Sequence, residues 1–144
     1  MRLTAKSEYG LLALLFLAER EGQGPVSARE IAEEQRIPIK FLEQLLVTLR
    51  KSGLVTAQRG AHGGFVLGRE AGQITVLDVV EALEGPLSPS PCDSTRDCGR
   101  SSACAAAPVW EEAGQALRSV LGASTIAAVA NRQGELDAAT SAAS

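Results

Sequence analysis

The sequence predicts a mainly α-helical fold with one small β-hairpin, in the order of a winged helix-turn-helix. Three helical stretches, each with its own start and stop signals, fill the first third of the chain. They are followed by two short β-type runs joined by the glycine-rich turn Arg59-Gly-Ala-His-Gly-Gly64. Beyond these lie further helical stretches separated by a segment rich in Pro, Ser, Asp and Gly. Helix periodicity, capping residues and turn chemistry therefore agree on one arrangement.

Each element has a local reason. Thr4 to about Arg20 reads as the first helix, with Leu11, Leu12, Leu14, Leu15 and Ala18 on its apolar face and Gly22 and Gly24 beyond its end. Ser27-Ala-Arg-Glu30 has the spacing of a capping box, in which the Ser hydroxyl and the Glu carboxylate satisfy each other's exposed backbone N–H groups. It opens a short helix to about Gln35, with Ile31 and Ala32 inward. Pro38 fits a first helical position, where its missing N–H costs nothing. From there to about Ser52, Phe41, Leu42, Leu45, Leu46 and Leu49 face inward, and Gly53 stops the helix. Leu54–Gln58 and Phe65–Leu67 are the hairpin strands. Thr75-Val-Leu-Asp78 is a second capping box, opening a helix that closes at Gly85. Residues 86–103 read as a loop. Pro108 begins a helix with Trp110, Ala113, Leu117, Val120 and Leu121 inward and Gly122 at its end. Ser124 caps a last short helix through Val129, and the tail after about Gln133 is expected to fray.

Composition narrows the class of protein. A chain of 144 residues with 45% hydrophobic and 22% charged residues can bury a core without disulfides. With five aromatics, aliphatic side chains must fill that core. There is no signal-peptide pattern and no apolar run long enough to span a bilayer, so a reducing, cytoplasmic location is expected. In that reducing compartment three cysteines point to ligands or reactive thiols rather than disulfides. Net charge is −3, but it is divided unevenly. Residues 1–70 hold ten Lys/Arg against eight Asp/Glu, and residues 71–144 hold four against nine. A DNA contact belongs in the basic half. The chain is not read as an enzyme: no Ser/His/Asp grouping is apparent, and His62 is the only histidine.

The second helix of a helix-turn-helix fills the major groove and delivers polar side chains to base edges. Here that helix is Pro38–Ser52, with Lys40, Glu43 and Gln44 outward. Gln44 can bond adenine with two hydrogen bonds, Lys40 can reach guanine or phosphate, and Glu43 can accept from cytosine N4. Arg50 and Lys51 suit phosphate contacts, which supply affinity rather than sequence readout. Arg59 and His62 at the hairpin tip suit a minor groove or a nearby phosphate.

Cys92, Cys98 and Cys104, each six residues from the next, are all the cysteines in the chain. A loop rich in Pro, Gly and Ser can wrap several thiolates around one centre. The spacing is neither that of a zinc finger nor a common ferredoxin pattern. An iron–sulfur cluster, zinc, redox thiols and no role at all remain open on these residues alone. Three thiolates leave one position for a fourth ligand, with Glu8, Glu84, Asp93, Asp97, Glu111 and His62 as candidates.

The chain resembles the Rrf-two family of winged-helix transcription regulators, the IscR/NsrR-like iron–sulfur regulators, over roughly residues 1–130. The resemblance rests on Met-Arg-Leu-Thr-Ala-Lys-Ser-Glu-Tyr at 1–9, Phe-Leu-Glu-Gln-Leu-Leu at 41–46 and Leu-Arg-Lys-Ser-Gly-Leu-Val at 49–55. It continues in Arg-Gly-Ala-His-Gly-Gly-Phe at 59–65, Ile-Thr-Val-Leu-Asp-Val-Val-Glu-Ala-Leu-Glu-Gly at 74–85 and the three cysteines.

The resemblance implies a homodimer on a near-palindromic operator in double-stranded DNA, with the helix near 108–121 as the dimerisation helix. It implies a cluster on Cys92, Cys98 and Cys104, 4Fe–4S by preference with 2Fe–2S open, completed by Glu8 of the partner subunit. The nitric-oxide sensors of the family are similar in placing a carboxylate there. The family's cluster-biosynthesis repressors use a histidine three residues after the last cysteine, where this chain has Ala107. DNA-reading positions of the family match Glu43, Gln44 and Arg59, while Pro38 stands where the family often has Ser. The division expected is a winged helix-turn-helix over 1–72, a helix, cysteine loop and dimerisation helix over 73–131, and a disordered tail over 132–144. The functional expectation is a repressor that senses nitric oxide, redox state or iron–sulfur status. The alternatives are a cluster-free regulator controlled by a metabolite or protein partner, or a small iron–sulfur electron carrier.

Overall fold

The computed structural model describes residues 3–89 and 104–143. Helix α1 spans Ala5–Glu19, α2 Ala28–Gln35 and α3 Ile39–Lys51. Strands β1 (Val55–Gln58) and β2 (Gly64–Leu67) follow. A single 3-10 turn over Ala71–Gln73 precedes α4 (Val76–Glu84), α5 (Ala107–Ala123) and α6 (Ile126–Ala143). The fold is the winged helix-turn-helix the sequence predicts, mainly α with one hairpin.

Caps set the boundaries. The Thr4 hydroxyl accepts from the Lys6 N–H at the start of α1. Thr75 and Asp78 form the full reciprocal capping box of α4. At α2 only half of the expected box is present. Ser27 accepts from the Glu30 N–H, but the Glu30 carboxylate lies 3.9 Å from Arg20, the residue that caps the C-terminus of α1. Pro38 is the N-cap of α3 rather than its first helical residue.

The turn between α2 and α3 was not legible in the sequence. Arg36 ends α2 in the left-handed region, at φ 54°, ψ 44°, a conformation that glycine or asparagine adopts more cheaply. Next to it the side chain of Ile37 is buried and plugs the corner.

One aliphatic core joins the two halves of the chain. Leu14, Ile31, Leu42, Leu46, Leu49, Leu54 and Val55 of the helix-turn-helix and wing share it with Ile74, Val79 and Ile126. Phe41 is only half-buried and meets Tyr9 edge-on, with ring centroids 5.7 Å apart. The segment before α4 is stitched to the one before α6. Val76 N–H donates to Ser124 O and Ile126 N–H to Ile74 O, both at 2.8 Å. The second region is thus built onto the first through shared packing, with α1 against both α4 and α6.

Two expectations about the C-terminal part are corrected. Ala113 and Val120 of α5 are exposed, Trp110 largely so, and Leu117 and Leu121 only half-buried; Gly114 is the residue α5 buries. The last helix does not stop at Val129 but continues through Ala143. Its extension holds five alanines between Ala130 and Ala143, and alanine is the best helix former. Gln133 also bonds Asp137 one turn on, at 2.8 Å. Every described residue from Asn131 on is exposed, so burial does not hold this extension.

Candidate nucleic-acid interface and cluster site

Helix α3 is held from behind and left bare in front. Leu42, Leu45, Leu46 and Leu49 anchor it in the core. Lys40, Glu43, Gln44, Val47, Thr48, Arg50 and Lys51 are all exposed. At 3.6 residues per turn, Lys40, Glu43, Gln44, Val47 and Lys51 fall within an arc of roughly 100°. This face combines cations at both ends with amide, carboxylate and aliphatic groups between them, as base reading requires. Arg50 and Lys51 lie in the last turn, where their charge also suits the helix dipole.

The hairpin is docked rather than free. β1 and β2 pair antiparallel from Val55↔Leu67 to Gln58↔Gly64. Phe65 N–H donates to Val26 O at 2.7 Å and Val26 N–H to Phe65 O at 3.0 Å, so the chain leading into α2 becomes a third short partner. That approach requires glycine at 64, where a Cβ would sit 2.4 Å from the Val26 carbonyl oxygen. The exposed tip carries Arg59 and His62. The wing is therefore positioned relative to α2 and α3 by backbone hydrogen bonds.

The start of α1 is tied to the end of α4. Glu84 Oε1 accepts from Thr4 N–H at 2.9 Å, from the Thr4 hydroxyl, and from the Ser7 hydroxyl at 2.9 Å. Burial pushes the Glu84 carboxyl up, but these hydrogen bonds together outweigh it and hold it below the usual carboxylate value. Glu84 thus serves as a latch, a role the sequence did not single out. Glu8 stands exposed in the first turn of the helix so held.

The segment leaving α4 is pinned as well: Leu87 is buried against Val76 and Val80, and Arg118 of α5 donates to its carbonyl at 2.7 Å. Cys104 is half-buried just before α5, and its carbonyl accepts from Ala107 N–H. Cys92, Cys98, Asp93 and Asp97 lie outside the described residues. Among the described residues no three His, Cys, Asp or Glu side chains come together as a metal-binding group. Glu111 is exposed on α5, and His62 sits on the wing, separated along the chain from Cys104 by β2, the 3-10 turn and α4.

An exposed apolar stripe runs along α5 through Val109, Ala113, Ala116 and Val120. Val109 is 59% and Val120 65% exposed. The 4-3-4 spacing is that of a coiled-coil seam. Among the described residues no helix is long and apolar enough to cross a membrane.

The sequence model described as "Rrf2: Iron-dependent Transcriptional regulator" matches residues 3–132. The chain is 36% identical over 139 residues to the HTH-type transcriptional regulator IscR of Xenorhabdus nematophila, covering 96% of this chain and 85% of that protein. It is 41% identical over 128 residues to Protein rrf2 of Nitratidesulfovibrio vulgaris, covering 88% and 85%. Among solved structures it is similar to CymR, the global cysteine regulator of B. subtilis, with a TM-score of 0.76, 35% identity and coverage of 92% of this chain and 98% of that one. It is also similar to T. potens IscR, with a TM-score of 0.74, 36% identity and coverage of 94% and 90%.

Proposed function

The chain belongs to the Rrf2 family of winged-helix transcription regulators, and from that premise we propose that it is a cytoplasmic homodimeric repressor that reads a near-palindromic operator and reports the state of an iron–sulfur cluster. α3 reads bases through Lys40, Glu43 and Gln44, while Arg50, Lys51, Arg59 and His62 meet the backbone or minor groove. Pairing of two copies along the Val109–Val120 stripe places two such helices about one DNA turn, roughly 34–36 Å, apart. Cys92, Cys98 and Cys104 hold the cluster, 4Fe–4S in the first reading, with Glu8 of the partner subunit as the fourth ligand. When bound, the cluster supplies a centre open to nitric oxide, oxidants or iron loss.

The observation that carries the sensing reading is the latch. Glu84 fastens the first turn of α1, where Glu8 is exposed, to the last residue of α4. The cysteine segment departs immediately afterwards, with its base pinned by Leu87 and Arg118. Displacement of that segment is therefore passed to α1, which packs directly on α2 and α3. Regulation follows only if the two cluster states differ in DNA affinity.

The similarity to CymR, described as a global cysteine regulator, favours one rival: a regulator of the same fold controlled by a metabolite or protein partner. The deciding experiment is the absorbance spectrum and iron-to-sulfide ratio of anaerobically purified protein, before and after nitric oxide. A visible thiolate-to-iron band that bleaches supports the cluster reading. A protein that stays colourless after reconstitution, yet binds DNA with sequence preference, leaves the partner-controlled regulator. Operator binding by Glu8→Ala tests the coupling: if it follows cluster state as the wild type does, Glu8 is not the link.

A further inference from the structure

We infer that Val47 is a base-reading residue, selecting a thymine through its C5-methyl group next to the base pair read by Gln44. The inference rests on the reading of α3 as the major-groove helix and adds to it a determinant of sequence choice that is apolar.

Val47 is 53% exposed although it lies on a helix whose other large aliphatic residues past the first turn, Leu42, Leu45, Leu46 and Leu49, are buried. It is not at the edge of the outward face. By helical phase it stands between Glu43 on one side and Lys40, Gln44 and Lys51 on the other, the middle of the arc that would face DNA. An aliphatic residue there is left in water in the free protein, and the major groove offers one apolar partner, the thymine methyl.

Two further features fit this use. A β-branched side chain in a helix has essentially one χ1 rotamer, so Val47 presents its methyl groups with little entropy to lose on docking. Along the axis, residues 44 and 47 are separated by about 4.5 Å, close to the roughly 3.4 Å step between stacked bases. A base met by Val47 is therefore a near neighbour of the adenine met by Gln44.

The test uses the full-length dimer and a duplex that it selects from a randomised pool. Each thymine of the selected site is replaced in turn, in both half-sites together, by deoxyuridine, which lacks only the methyl. Binding is measured for wild type, Val47→Ala and Val47→Thr. One position should weaken wild-type binding about fourfold per half-site, the worth of one buried methyl, and about fifteenfold for the pair. The same replacement should change Val47→Ala binding by less than about twofold, with Val47→Thr in between. Deoxyuridine tolerated at every position by the wild type, or equal loss in Val47→Ala, overturns the inference while leaving α3 as the reading helix. Selection of no preferred sequence would overturn that reading as well.

Discussion

Removing the Glu84 carboxylate is the most informative single perturbation of this fold. It accepts three hydrogen bonds at the N-terminus of α1, two from Thr4 and one from Ser7. A charge-assisted hydrogen bond contributes about 1.5–3 kcal/mol net when well shielded. Both Thr4 contacts are solvent-exposed, which brings each to about 0.5 kcal/mol, while the part-buried Ser7 contact is taken as about 1 kcal/mol. Glu84→Ala should therefore cost about 2 kcal/mol, and Glu84→Gln, which keeps an acceptor but not the charge, about 1 kcal/mol. For a chain near this length, each kcal/mol lowers Tm by about 2–4 °C. The alanine variant should melt about 4–8 °C below wild type at matched protein concentration.

The carboxyl is held below its usual value, so its contribution should be complete above the ordinary glutamate pKa of about 4.3 and lost as the pH falls through the lower, folded value. Thermal melts with Glu84→Ala, Ser7→Ala and the double variant, repeated across that range, decide the matter. If Glu84→Ala unfolds within about 0.3 kcal/mol of wild type, or Ser7→Ala costs the same with and without Glu84, the latch is not an energetic link and the coupling argument built on it fails.

Further outcomes follow from the same geometry. Gly64→Ala drives a Cβ against the Val26 carbonyl and should undock the wing, costing about 1–3 kcal/mol in urea unfolding and weakening DNA binding. Arg36→Gly relieves the left-handed backbone at φ 54° and should stabilise the fold by about 0.5–1 kcal/mol after the glycine entropy cost, read from the urea midpoint. Gln44→Ala should cost about 1–3 kcal/mol at the selected site and relax preference at one base pair, whereas Lys51→Ala should weaken all sequences alike and flatten the salt slope by about 1. Val120→Glu places a charge on the α5 stripe and should shift the chain to monomer in sedimentation, with little loss of helix by circular dichroism, since Val120 is 65% exposed.

Much of the fold was legible because its signals are local. Thr4, Ser27 and Thr75 mark helix starts by bonding within a turn of themselves. Gly53 and Gly85 end helices, at φ 79° and 87°, where other residues would be strained. The Leu42–Leu49 spacing assigns one face of α3 to the core and so exposes the other. The errors came where the local signal was ambiguous. On α5 an apolar residue serves equally for a core and for a second subunit, so the sequence points Ala113 and Val120 inward while the structure exposes both. The α6 extension has polar and small residues that read as a tail, yet five of them are alanines, which favour a helix.

Of the candidate site, the sequence alone determined which side chains are available: a helix with a polar outer face, a glycine-permitted wing, and three thiols on one segment. Residue identity, helical period and the φ range of glycine are properties of a few neighbouring positions, and they suffice for that. Only the tertiary structure decided that Glu84 reaches across eighty residues of chain to hold the start of α1, that Phe65 bonds Val26 to set the wing, and that the α5 stripe is left uncovered by the described residues. Such contacts depend on how separate elements pack into one core, and no local pattern records which distant partner a carboxylate, a strand edge or an apolar face will meet.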